Sequence, residues 1–280
     1  MIDFFRDMAV NPFLLSGLIA GLLAGLACGI IGPYVVTRRI VFLGGALAHI
    51  AVGGVGAAFF LAYAFPQYCG WLEPLHGALA AALAAAVIIN IVTERSQEQS
   101  DTIIGALWAV GMAAGILLIK FTPGYQGELM SYLFGNLAVV PWSRVVWMAI
   151  LDAVIVAAVL LFHKQFLVIC LDPQMARLQN VPVSRVNLVL LCLTALTVIC
   201  LTQVVGLILV IALLCLPAAA VARHVTGMGR LIIGSTLLGC VLATLPRIAV
   251  YGTSVSPEAA IVLAAGGAYL LSLILAALRR

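Results

Sequence analysis

Charge is what this sequence has least of. Its 280 residues include 14 Lys or Arg and 10 Asp or Glu, 9% charged in all, where soluble domains carry about 25%. With 65% hydrophobic residues and a mean hydropathy of +1.23, no water-compatible surface can enclose a single core, so the solvent must be lipid. Lysine is nearly absent. Lys120 and Lys164 stand alone, neither in a G-x-x-x-x-G-K-[ST] loop, so the chain does not itself wrap nucleotide phosphates. There is no G-x-S-x-G, no H-E-x-x-H and no paired-carboxylate arrangement, which leaves hydrolase chemistry without support. No basic run points to nucleic acid. Seven cysteines (Cys28, Cys69, Cys170, Cys192, Cys200, Cys215, Cys240) form no C-x-x-C pair, and scattered in apolar runs they behave as small hydrophobes rather than a disulfide or zinc framework. The N-terminus lacks a clean cationic region, and the long run after it reads as a retained span rather than a signal peptide.

What is present is a series of apolar runs near 12–37, 42–65, 76–93, 102–121, 142–162, 186–204, 206–222, 231–249 and 258–278. A helix needs about 20 apolar residues to cross the hydrocarbon. The expected fold is therefore all-α and polytopic, with about eight or nine transmembrane helices in a single domain over 1–280. The pair around 186–222 is the least separated, interrupted only by Thr202-Gln203, and 122–141 has room for a short re-entrant helix. With Arg38-Arg39 placed in the cytoplasm and the runs alternating, ten of the 14 basic residues fall inside, while Arg6, Lys120, Arg144 and Arg247 fall outside. The positive-inside rule then predicts an external N-terminus and a cytoplasmic C-terminus. Gly17, Gly21, Gly25 and Gly29 share one face of the first span, a pattern that lets another helix backbone approach closely.

The most informative polar stretch is Cys170–Pro182. Asp172 is a good N-cap, and Pro173 suits the first helical position. Asn180 tolerates the left-handed conformation that ends a helix, and Pro182 blocks continuation. This predicts a short, sharply bounded helix at about 172–180, centred on Ala176, on the cytoplasmic side. It reads either as a tidy loop or as a docking element for a partner. Asp101 reads as a helix-start residue favoured by the dipole.

Two ionisable residues lie at membrane depth. Asp152 sits well inside the fifth run, where an acid faces the protein interior or a water-filled path, or pairs with Arg144 or a polar group of a neighbouring helix. His49 lies in the second run, on one face with Gly45 and Gly53. A buried histidine is commonly a hydrogen-bonding core residue. In a bilayer on a small-residue face it is also a functional candidate, and neutral imidazole is the commonest metal ligand. His76, His163 and His224 read as interfacial.

Several segments together resemble the permeases of the zinc/manganese/iron ABC importer family. They are Gly32-Pro-Tyr-Val-Val-Thr-Arg-Arg39, Ala46-Leu-Ala-His-Ile50, Asp101-Thr-Ile-Ile-Gly105, Tyr132-Leu-Phe-Gly-Asn136, the Asp172–Ala176 stretch and Gly206–Ala220, in the family's order. The resemblance implies a multi-pass protein of the bacterial inner membrane, working as the membrane-spanning subunit of an ATP-driven importer for a divalent metal. It implies a second copy of the permease forming a homodimer, a cytoplasmic ABC ATPase subunit and an extracytoplasmic metal-binding protein. Lipid surrounds the subunit, nucleic acid is not a partner, and neither an enzymatic role nor a resident cofactor is expected of it. Asp172, Pro173, Ala176 and Asn180 match the family's ATPase-coupling helix, and His49 matches its pathway histidine.

Two departures stand out. The family usually has Asp four residues before that histidine, where this chain has Gly45, so half of an i, i+4 ligand pair is missing. Before the last span the family tends to an Asp-x-Pro turn, where this chain reads Tyr251-Gly-Thr-Ser-Val-Ser-Pro257. A related permease for a chelated metal or another small solute therefore stays open. A secondary transporter should show several intramembrane carboxylates or an inverted repeat, and a membrane enzyme should cluster His, Asp or Glu at one depth.

Overall fold

The computed structural model describes residues 2–8, 10–95, 100–123, 135 and 140–278, the side chains of 2, 3, 5 and 100 excepted. Among them are twelve helices and no strands: α1 (Ile2–Met8), α2 (Pro12–Thr37), α3 (Phe42–Ala64), α4 (Pro66–Cys69), α5 (Pro74–Arg95), α6 (Ser100–Lys120), α7 (Trp142–Leu171), α8 (Pro173–Leu178), α9 (Val183–Val205), α10 (Leu207–Val221), α11 (Met228–Ala249) and α12 (Pro257–Leu278). The re-entrant segment expected over 122–141, with its Tyr132–Asn136 motif, lies almost wholly outside the described residues.

Eight of these helices are long and apolar enough to cross a membrane. The seventh expected span is the exception. Its helix, α10, has 15 residues, or about 22 Å at the α-helical rise, against a hydrocarbon thickness of about 30 Å. The boundary between the sixth and seventh runs falls where their limits, 204 and 206, put it. The Thr202-Gln203 pair does not interrupt α9: the Thr202 hydroxyl donates to the carbonyl of Val198, and the helix runs on to Val205. The chain breaks one residue later at Gly206, where φ is 81°, a left-handed backbone that glycine adopts without steric penalty. The fifth span also runs further than expected. α7 has 30 residues, its last turns bury Phe166 and Ile169 completely, and His163 lies within it.

Side-chain contacts establish the alternation. At one end Tyr34 Oη and His163 Nδ1 share a hydrogen bond of 2.8 Å, and the Arg38 guanidinium donates to the carbonyl of Ile169 at 2.7 Å. Asn187 donates to Asn90 at that same end, at 2.8 Å. At the other end Ser16 donates to the carbonyl of Val140 at 2.6 Å, and Arg144 to that of Gln203 at 2.8 Å. Cys215 Sγ lies 4.0 Å from the carbonyl of Val41, so α10, though short, returns the chain to the arginine-bearing end.

α2 is the central post. It packs against α11, α10, α7 and α9, while α3 packs against α6 and α5, and α9 touches both groups. The glycine face of α2 works as a packing surface. A Cβ at Gly25 would fall 2.8 Å from the backbone nitrogen of Cys240 in α11, and one at Gly21 would fall 3.3 Å from the carbonyl of Ala243. The same device holds α3 to α6, where a Cβ at Gly53 or Gly56 would lie 2.6 Å from the carbonyl of Gly111 or Gly115. In lipid there is little hydrophobic drive between helices, so close backbone approach of this kind supplies the dispersion contact that holds them.

Candidate functional site

α3 begins four residues after Arg38, beyond a tight turn in which Arg39 takes φ 59° and the Ile40 amide donates to the carbonyl of Val35. His49 stands seven residues into the helix, about 10 Å along its axis. Its ring stacks on the indole of Trp108 from α6, with centroids 4.9 Å apart and planes 17° from parallel. Its Nδ1 is buried and makes no hydrogen bond. The reading of His49 as a hydrogen-bonded core residue therefore finds no partner for that nitrogen, which keeps its lone pair or its proton unengaged. Trp108 was not anticipated. The α3–α6 glycine contacts bring its ring over the imidazole, and sequence spacing gives no sign of that pairing.

Gly45 lies one turn below His49 and faces α10 rather than α6. A Cβ there would meet only the Cδ1 of Ile211, at 3.6 Å, an ordinary contact. Most interhelical glycines of this protein press against a neighbouring backbone, and Gly45 does not. A Cβ at this buried position meets no backbone, so close helix approach is not what requires glycine here.

Asp152 is carried by α7 and is 4% exposed, with neither carboxylate oxygen hydrogen-bonded. The pairing with Arg144 does not form, because Arg144 reaches instead to the carbonyl of Gln203. Asp152 lies on the helix that packs against α2 and α9, while His49 lies in the α3–α6 layer. Among the described residues no three His, Cys, Asp or Glu side chains converge on a point that could hold a metal ion. His49, Gly45 and Asp152 thus do not make one cage within this chain. A cation at His49 would be held by one imidazole and whatever a partner surface adds.

The short helix has the expected caps. The Asp172 carboxylate accepts from the amides of Gln174 and Met175 at 2.8 and 3.1 Å, Pro173 occupies the first turn, and Asn180 takes φ 57°. Ala176 is fully buried, while Met175 and Leu178 are 51% and 80% exposed. One face of α8 is therefore anchored and the other offers apolar side chains at the arginine-bearing end. Beside it lies an open groove of about 420 Å³, lined by Glu94, Arg177, Pro182, Val183, Ser184 and Arg185.

Next to the groove runs a chain of side-chain hydrogen bonds that sequence reading missed. Arg38 donates to Asn187 Oδ1 at 2.8 Å, Asn187 donates to Asn90 Oδ1 at 2.8 Å, and Asn90 donates to the Ser184 hydroxyl at 3.2 Å. Ser184 donates in turn to the carboxylate of Glu94. The two asparagines, 6% and 9% exposed, stand in otherwise apolar runs, and that was the one signal the sequence offered. Which partners they find is a matter of helix packing.

The sequence matches the ABC 3 transport family over residues 10–276. It is 38% identical over 264 residues to the "Probable metal transport system membrane protein" of Chlamydia trachomatis, covering 94% of this chain and 89% of that protein. To the "Manganese transport system membrane protein MntC" of Listeria monocytogenes it is 31% identical, covering 94% and 90%. Among solved structures, PsaBC from Streptococcus pneumoniae in complex with Fab superposes with a TM-score of 0.83 at 28% identity, covering 97% of this chain and 95% of that one.

Proposed function

We propose that this chain, which belongs to the ABC 3 transport family, is the membrane-spanning permease of an ATP-driven importer of divalent metal ions in a bacterial cell membrane. The names of its relatives, metal and manganese transport membrane proteins, support the cargo class. Zinc, manganese and iron all remain within it. The observation that carries the reading at the residue level is His49, whose Nδ1 is buried without a partner one turn from Gly45, where a Cβ would meet no backbone. An imidazole nitrogen with no protein partner takes a cation once the helices around it part, and a single ligand releases it readily, as conduction requires.

The ATP-hydrolysing step belongs to a separate cytoplasmic subunit docking on α8 through Met175 and Leu178. An extracytoplasmic binding protein delivers the ion. A second copy of the permease brings a second His49, if the α3–α6 layer lines the seam. Asp152 is a second polar station, its carboxylate buried and unpartnered at membrane depth.

The test is radiometal uptake in vesicles containing the whole complex. His49→Ala should abolish metal-dependent uptake while assembly and basal ATP hydrolysis persist. Uptake at the wild-type rate would leave His49 a packed residue stacked on Trp108 and remove the site.

A further inference from the structure

We propose that the relay Glu94–Ser184–Asn90–Asn187–Arg38 transmits the ATPase's movement from the α8 surface to the α2–α3 hairpin that carries His49. The inference rests on the docking reading above and names the positioning residues through which docking acts.

The relay has an outer and an inner terminus. At the outer one, Glu94 lines the groove together with Arg177 of α8 and Arg185 of α9. A subunit seated on α8 would touch this groove. At the inner one, Arg38 closes α2 and makes two bonds, to Asn187 Oδ1 and to the carbonyl of Ile169. Ile169 lies in the last turn of α7, three residues before Asp172 caps α8. One guanidinium thus holds the root of the docking helix and the end of the relay.

Beyond Arg38 the connection is stiff. The turn is fixed by the left-handed Arg39 and the bond from the Ile40 amide to Val35, and α3 starts at Phe42. A displacement of Arg38 is therefore carried into α3 rather than absorbed by slack chain. The middle of the relay, Asn90 and Asn187, is buried, and each amide has a partner for its oxygen and for its nitrogen. Hydrogen bonds in such low-dielectric surroundings are stronger than in water, and breaking one exposes a buried polar group. The relay accordingly moves as a unit or switches partners as a unit. Apolar side chains at 90 and 187 would seal the α5–α9 contact equally well but would slide past one another without a defined register.

The experiment uses the complete complex, with ATPase and binding protein, in sealed vesicles, and reads metal taken up per ATP hydrolysed. In Asn187→Leu the ATPase should still co-purify and hydrolyse ATP, while uptake per ATP falls about tenfold, a size usual for coupling between sites. In Asn187→Gln, uptake per ATP should recover most of the wild-type value. The longer amide still offers an oxygen to Arg38 and an N–H to Asn90 Oδ1, so every bond of the relay keeps its direction. Wild-type uptake per ATP in Asn187→Leu would overturn the proposal. So would an equal loss in Asn187→Gln, because a merely packed position would not distinguish them that way. If Asn187→Leu fails to assemble, Ser184→Ala, which removes the bonds to Glu94 and Asn90 and leaves the Asn90–Asn187–Arg38 part in place, decides instead. A loss of uptake per ATP there supports the relay, and an unchanged ratio overturns it. Failure of the docking reading itself looks different: a complex that assembles and couples normally with α8 broken.

Discussion

His49 and Gly45 sit one turn apart on α3 and illustrate how residue type and surroundings divide the work of a site. The imidazole is held flat by Trp108 with Nδ1 unbonded, so its ring position is set by stacking and not by a hydrogen bond. A Cβ at Gly45 would make only an ordinary contact with the Ile211 side chain, at 3.6 Å. Gly45→Asp should therefore insert and assemble like the parent protein, and its added carboxylate should tighten cation binding and slow release. Uptake rates for manganese and zinc, measured side by side in vesicles, should shift relative to each other. Unchanged rates for both ions would mean that cations do not pass position 45. Gly25→Asp is the contrasting case. Its Cβ would meet the Cys240 backbone at 2.8 Å, so this variant should lose folded yield after detergent extraction, whatever its effect on cations.

At the scale of elements, α8 is a helix whose two ends are set by its own and adjoining residues. Its start is set by the carboxylate of Asp172 on two amides, and its stop by Asn180 in the left-handed region. The Ala176 amide donates to the carbonyl of Asp172 at 3.0 Å. Ala176→Pro removes that bond and drives the ring into the preceding turn, at a cost of about 3 kcal/mol of local helix stability. The spans are held by other contacts, so the variant should still be found in the membrane at normal level. ATP hydrolysis should no longer be stimulated when the purified ATPase is added. Normal stimulation would remove the docking role from α8.

For the whole molecule the question is which face is which. The contacts place Arg38, Lys164, Arg177 and Arg185 toward one end, with Arg144 toward the other. By the positive-inside rule, the excess of basic residues predicts that the first end is cytoplasmic. Gln67 and Gln174 are both exposed and lie at opposite ends. With the native cysteines replaced by alanine, Gln67→Cys should react with an impermeant maleimide added to intact cells. Gln174→Cys should react only after the cells are opened. Reaction of the Gln174→Cys protein from outside would invert the orientation and, with it, the direction of transport.

The all-α membrane class, the existence of the spans and the caps of α8 were legible in the sequence. Each rests on local physics: an apolar run long enough for lipid, a carboxylate ahead of free amides, a proline where no N–H is needed. The glycine face of α2 was legible as a packing surface for the same reason, since spacing alone puts Gly21, Gly25 and Gly29 on one side. What tertiary structure decided were the partners. Spacing put His49 on a small-residue face, and only the α3–α6 contact brought Trp108 over it. Asn90 and Asn187 lie 97 residues apart, and only the crossing of α5 with α9 joins them to Arg38. Thr202 and Gln203 look like an interruption on paper, but a hydroxyl bonded within its own helix does not break it, and the break fell to the backbone of Gly206. Local chemistry sets where a helix begins and what it tolerates, while long-range packing determines which polar atoms meet and which, like those of His49 and Asp152, are left with none.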